Sequence, residues 1–201
     1  MTVFHLVRHG QVDNPQKIVY GRQRGWRLSV RGHKEAEAVA RHLAGRPIAR
    51  VYTSPLERAV QTATVIAGAC GGEVEPREDL MEAWLCSPWE GLPWREVKRE
   101  RAREWARYLF RPLEVCDVAE DLRALAARME TALRAIAAAH PEQQVVAVSH
   151  GDPLKAGILA LTGGDLRELH RNPIPTGGLV SLELGAEGPG RILERWAPAR
   201  T

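Results

Sequence analysis

Lysine is scarce in this chain: four residues (Lys17, Lys34, Lys98 and Lys155) within a combined lysine and arginine total of 28. Its cations are therefore almost all guanidinium groups, whose planar fork suits phosphate. That bias runs through all 201 residues and is a compositional trait before it is a functional one. Cysteine is also rare. Cys70, Cys86 and Cys116 are odd in number and far apart, which excludes a disulfide framework and any zinc-type spacing and reads as scattered reduced thiols. No apolar run approaches the length of a membrane span, and the first strand-like run begins too early to leave room for a signal peptide. Cytoplasmic placement is the expectation. Repeats, low-complexity tracts and linkers are lacking too, so residues 1–201 read as one domain. The formal charge of +3 is mild; it does not point to nucleic acid, although a local basic patch favours anionic ligands.

What is present is organised around Phe4-His5-Leu6-Val7-Arg8-His9-Gly10-Gln11, an apolar run that ends abruptly in Arg-His-Gly. The run reads as a buried strand, and Gly10 permits a sharp turn or close backbone approach after it. A second run, Gln144-Val145-Val146-Ala147-Val148, ends similarly in Ser149-His150-Gly151-Asp152-Pro153. In open α/β sheets ligands bind at the carboxyl ends of strands, so two strands finishing in His-Gly can bring two imidazoles to one sheet edge.

Between them, residues 12–28 read as a loop carrying Lys17, Arg22, Arg24 and Arg27. Hung over the strand end, it could hold a second anionic group of a ligand, although each of these cations taken singly reads rather as a solvated residue of an arginine-rich chain. A helix is expected from an N-cap at Ser29 to Leu43, with Ala36, Val39, Ala40 and Leu43 on one face. Ile48–Thr53 reads as a strand. Ser54-Pro55-Leu56-Glu57 then combines a capping box with proline at the first helical position. That puts Arg58 in the first turn, where the helix dipole favours an anion rather than a cation; a bound anion between Arg58 and the helix end resolves the conflict.

Residues 73–77 suggest a further strand, and the segment at about 80–117, with Trp84, Trp89, Trp94 and Trp105, a lid or insertion. Pro93 is expected to open a helix that turns Trp94, Val97, Trp105 and Tyr108 inward. Asp117-Val118-Ala119-Glu120 reads as a second capping box before a helix with Leu122, Leu125, Met129, Leu133 and Ile136 as its buried stripe. Asp152-Pro153 reads as an N-cap and first helical position, which aims another helix N-terminus at the site. Leu179–Leu184 and Arg191–Trp196 resemble a hairpin. Alternating strands and helices imply a three-layer α/β/α sandwich with a mostly parallel central sheet.

Four segments carry a resemblance: Leu6-Val7-Arg8-His9-Gly10; Thr53-Ser54-Pro55-Leu56-Glu57-Arg58-Ala59; Glu82 ahead of Trp89-Glu90-Gly91; and Ser149-His150-Gly151. Together they resemble the histidine phosphatase superfamily, also called the phosphoglycerate mutase-like family. The resemblance implies the same sandwich fold and no metal or other cofactor. It implies that His9 attacks phosphorus, that Arg8, Arg58 and His150 hold the transferred group, and that Glu82 gives a proton to the leaving group, with Glu90 as the alternate. Expected substrate-binding positions are Arg8, Arg58, Asn14, Gly21, Arg22 and Gly151. The expected activity is a metal-independent phosphomonoesterase acting through a phosphohistidine on a small phosphorylated metabolite; a phosphoglycerate mutase and a non-catalytic phospho-ligand module are the alternatives. Neither nucleic acid nor membrane is an expected partner, and a homodimer is left open. His5 reads as a strand histidine bonded to backbone, and His33, His42, His140 and His170 as surface residues.

Overall fold

Along the first strand, β1 (Thr2–Arg8), Phe4 and Leu6 enter one apolar layer and Val7 enters another. This two-sided burial marks a strand inside a sheet covered on both faces. The computed structural model describes residues 1–185 and 187–199. One layer packs the sheet against α1 (Val30–Leu43) and α2 (Glu57–Cys70). The other packs it against α5 (Leu122–Ala139), α6 (Gly151–Thr162) and residues of the long excursion between strands. The periodic stripes expected on α1 and α5 are the buried faces of those helices.

The remaining strands are β2 (Ile48–Thr53), β3 (Val74–Pro76), β4 (Gln144–Ser149), β5 (Leu179–Leu184) and β6 (Arg191–Trp196), in the order β3-β2-β4-β1-β5-β6. β3, β2, β4 and β1 run parallel, while β5 lies antiparallel to β1 and β6 antiparallel to β5. The sheet is therefore mixed: a parallel core with an antiparallel hairpin appended. The excursion holds α3 (Trp94–Glu100) and α4 (Ala102–Phe110), split at Arg101 rather than joined in one helix. Trp89, Val97 and Tyr108 are buried, and Trp94 and Trp105 pack against the same cluster. Among the described residues, no helix is long and apolar enough to cross a membrane.

Three helix starts differ from the capping patterns in the sequence. α2 begins at Glu57 with Leu56 as its cap, and Ser54 lies outside it. α5 is capped by Asp121, whose carboxylate accepts from the Ala124 amide at 2.8 Å. Asp117 has the left-handed φ of 57°, which a capping residue does not adopt. α6 takes His150 as its cap in extended backbone, and Asp152 lies inside its first turn. Ser54 and Asp152 instead have partners distant in sequence, His150 and Tyr108.

β1 and β4 pair side by side with Arg8 opposite Ser149, so the residues that follow each strand emerge together. The His9 amide bonds the Ser149 carbonyl at 3.0 Å, and the Ser54 amide bonds the Val148 carbonyl at 2.9 Å. Three strand ends thus deliver His9, Ser54 and His150 to one edge. The turn after β1 is pressed onto the first turn of α1: a Cβ on Gly10 would run into the Gly32 carbonyl, and one on Gly32 into that of Gln11. Only glycine permits this approach. The Glu35 carboxylate accepts from the Gln11 amide at 2.8 Å, and the Thr62 hydroxyl accepts from the Gly10 amide at 3.1 Å.

Candidate active site

The two histidines meet. The His9 and His150 rings lie 5.0 Å apart at centroids, 1% and 0% exposed. His9 Nδ1 donates to the Gly10 carbonyl at 2.8 Å. A carbonyl can only accept, so the proton sits on Nδ1 and the Nε2 lone pair is free. Burial, then Arg58 and Arg8, hold His9 well below the ordinary histidine pKa, because each disfavours the imidazolium. His9 is neutral over the physiological range and has an available nucleophilic nitrogen.

His150 Nε2 bonds the Ser54 hydroxyl at 2.8 Å. Its Nδ1 has no hydrogen-bond partner and lies 3.5 Å from Glu82 Oε2. Burial and then Arg58 also depress the His150 pKa strongly. Ser54 is a residue that sequence reading assigned to helix capping alone; its place beside β4's end, not its neighbours in sequence, makes it a partner of His150.

Arg58 is wholly buried. Its Nη2 donates to the Gly21 carbonyl at 2.6 Å and its guanidinium lies 4.7 Å from the Tyr20 ring. Its Nε and Nη1 have no partner. Arg8 donates from Nη1 to the Ile174 carbonyl at 2.7 Å, while its Nε is unpartnered. Gly151 gives Arg8 room: a Cβ there would stand 3.3 Å from Arg8 Cζ. Buried guanidinium nitrogens without partners are costly, and three of them, with His150 Nδ1, are grouped about one imidazole. A tetrahedral oxyanion could satisfy them together. We expect Arg58→Met to leave the melting temperature of the free protein unchanged or higher, since it removes an uncompensated buried charge. In the wild type, phosphate at a hundredfold its Kd adds about 2.7 kcal/mol of stability. Thermal denaturation with and without phosphate should show that increment lost in the variant.

Glu82 is 18% exposed on its side chain. Burial first, against opposition from Arg58 and with help from Asp152, pushes its pKa up to about 7. It is thus a carboxyl group protonated near neutrality and aimed at the same hollow. Glu90 is elsewhere: its Oε1 accepts from the Arg22 amide at 2.8 Å and braces the turn at Gly21. That turn has a φ of 40° at Gly21, and a Cβ there would overlap the Glu90 carboxylate.

The other expected binding residues divide. Gly21 and Gly151 line the cavity with Arg8 and Glu82. Arg22 does not; it donates from Nε to the Glu82 carbonyl at 2.6 Å, pairs with Glu120 at 3.0 Å and lies over Trp84. Arg128 also pairs with Glu120, at 2.7 Å, and donates to the Asp79 and Met81 carbonyls. Arg22 and Arg128 therefore clamp the backbone that carries Glu82, and Glu120 serves that clamp instead of a helix cap. The Asn14 amide closes its own turn, with both atoms bonded to the Ile18 backbone, and it does not line the cavity.

His9, Glu82 and His150 offer nitrogen and oxygen atoms within 4.8 Å of one another, a spacing a cation can use. Two guanidinium groups share the hollow and one His9 nitrogen is spent on Gly10, so its electrostatics favour an anion. Away from the site, His5 bonds the Ser181 hydroxyl and the Gln144 amide rather than backbone. His42 stacks on Trp196, His140 bonds Tyr52 and His170 packs on Tyr108; of the four histidines expected at the surface, His33 alone is exposed and the other three are half-buried.

A neutral imidazole facing unpartnered guanidinium donors at the carboxyl ends of parallel strands is the arrangement of a histidine phosphatase. The chain belongs to the histidine phosphatase superfamily (branch 1), which matches it over residues 4–197. Phosphoserine phosphatase 1 of Hydrogenobacter thermophilus is 33% identical over 80% of this chain and 76% of that protein. The metal-independent phosphoserine phosphatase of Arabidopsis thaliana is 34% identical over 81% and 69%. Among solved structures, mycobacterial glucosyl-3-phosphoglycerate phosphatase in complex with VO3 shares the fold, with a TM-score of 0.86, 24% identity and coverage of 98% of this chain and 99% of that one.

Proposed function

We propose that the protein is a metal-independent phosphomonoesterase that works through a phosphohistidine at His9 on a small phosphorylated metabolite. The observation that carries this reading is the set of buried unpartnered donors, Arg8 Nε, Arg58 Nε and Nη1 and His150 Nδ1, around the free Nε2 of His9. The phosphatase names of the relatives above support it.

His9 Nε2 attacks phosphorus in line as the P–O bond to the alcohol breaks. Arg8, Arg58 and His150 neutralise the equatorial oxygens as charge shifts onto them. Protonated Glu82 gives its proton to the departing alkoxide. Water then attacks phosphorus, Glu82 carboxylate takes the proton of that water, the P–N bond breaks, and phosphate leaves His9 neutral. Ser54 fixes the orientation of the His150 ring.

The competing outcome is return of the phosphoryl group to a second hydroxyl, as in a mutase. Incubation with 3-phosphoglycerate, with and without 2,3-bisphosphoglycerate, separates the two: phosphate release should exceed interconversion under both conditions. Mutase turnover with negligible phosphate release would reverse the assignment.

A further inference from the structure

Beyond the phosphate cradle, the walls of the cavity of about 180 Å³ include the apolar side chains of Ile18, Leu85 and Trp94 and the polar ones of Cys86, Tyr108 and Asp152. Its charge is informative. Asp152 Oδ2 accepts from the Tyr108 hydroxyl at 2.7 Å, and Oδ1 pairs with Lys155 Nζ at 2.7 Å. Burial alone would raise the Asp152 pKa, but Lys155 and Tyr108 hold it below the ordinary value, so the carboxylate is charged and its countercharge already used.

The cations of the loop after β1 do not serve this wall. Arg22 is committed to Glu82 and Glu120, Arg24 and Arg27 are exposed, and Lys17 borders a different hollow with Pro93 and Arg95. Arg8 is the one cationic side chain among the described residues lining the cavity, and its free nitrogen belongs to the phosphate cradle. A carboxylate on the alcohol half of a substrate would face the charged Asp152 with no free cation to offset it, beside a Glu82 carboxyl that must stay protonated to act as the acid, and the unrelieved like charge is unfavourable.

We propose that this cavity selects phosphomonoesters whose alcohol half carries no carboxylate: an uncharged, hydroxyl-bearing body that rests on Ile18 and Trp94 and hydrogen-bonds to Asp152 and Tyr108. The proposal rests on the phosphatase reading and narrows it. Under it the basic loop after β1 receives no second anionic group.

Two matched pairs of substrates test it, with p-nitrophenyl phosphate as the control. Glycerol 3-phosphate differs from 3-phosphoglycerate, and phosphoethanolamine from phosphoserine, at the carboxylate position. In each pair the member without the carboxylate should show about tenfold or greater kcat/KM. Ile18→Arg, a half-buried position at the wall, should shift each ratio about tenfold toward the carboxylate member. Equal or greater activity on the carboxylate members by a wild type that hydrolyses the control would overturn the proposal alone. Unchanged ratios in a folded, active Ile18→Arg protein would overturn it as well. Loss of the control reaction in the wild type would bring down the phosphatase reading and this proposal with it.

Discussion

His9→Ala lowers phosphatase turnover by at least about 10⁴-fold and removes the acid-labile phosphate from the protein. The size follows from how singular this nitrogen is. His9 Nδ1 is tied to Gly10 and its Nε2 is unencumbered, whereas His150 has Nε2 bound to Ser54 and Nδ1 turned toward Glu82. No second imidazole in the hollow can replace it. The anion cradle should outlive the mutation, because Arg58 is held by Gly21 and Tyr20, and Arg8 by Ile174. Phosphate should therefore bind His9→Ala within a few-fold of wild type while the rate collapses. Turnover at a few per cent of wild type, or a phosphoprotein that survives the substitution, would place the nucleophile elsewhere.

Glu82→Gln separates substrates by leaving group. An alkoxide needs a proton as it departs, so alkyl phosphates should lose about 10²–10⁴-fold in kcat, the usual yield of general acid catalysis. Activated aryl phosphates, whose phenolate departs unaided, should lose far less; equal losses on both would count against an acid role. The pH profile carries the same signature. With its pKa at about 7, Glu82 is a competent acid below neutrality, so wild-type activity on alkyl esters should fall as pH rises above about 7 and the variant should lack that limb. Stability has a determined sign too. The folded state favours the neutral carboxyl, so this contribution is full below the usual value of 4.5 and is lost as pH rises through about 7. Its size is on the order of 3 kcal/mol. Urea unfolding at acid and alkaline pH should show Glu82→Gln gaining on wild type only on the alkaline side.

Much of this site was legible in the sequence because its parts are local signals at strand ends. Arg8 and His9 close an apolar run, His150 closes another, and Arg58 sits in the first turn of a helix even though that helix starts later than Ser54 suggested. What escaped is contact between residues far apart in the chain. Ser54 and Asp152 looked like helix caps, and each has that chemistry, but His150 and Tyr108 claim them instead. Arg22 looked like a ligand cation, and its partner Glu120 lies 98 residues away. A short-range pattern records what a side chain can bond and is silent on which competitor the fold brings within reach. The mostly parallel sheet and the closing hairpin were both plain in the sequence; only the hairpin's direction against β1 depends on pairing across the whole chain.

β1 lies between β4 and β5, with two further strands beyond β4 and one beyond β5. A strand in that position opens last, since its ladder cannot fray from a border. The proposed nucleophile thus follows directly on one of the two segments least able to detach, while much of the cavity wall, Ile18, Leu85, Trp94 and Tyr108, hangs from the excursion and the loop after β1. Catalytic competence and the integrity of the whole molecule should vanish together, whereas substrate preference can drift by changes at the periphery that leave the chemistry alone.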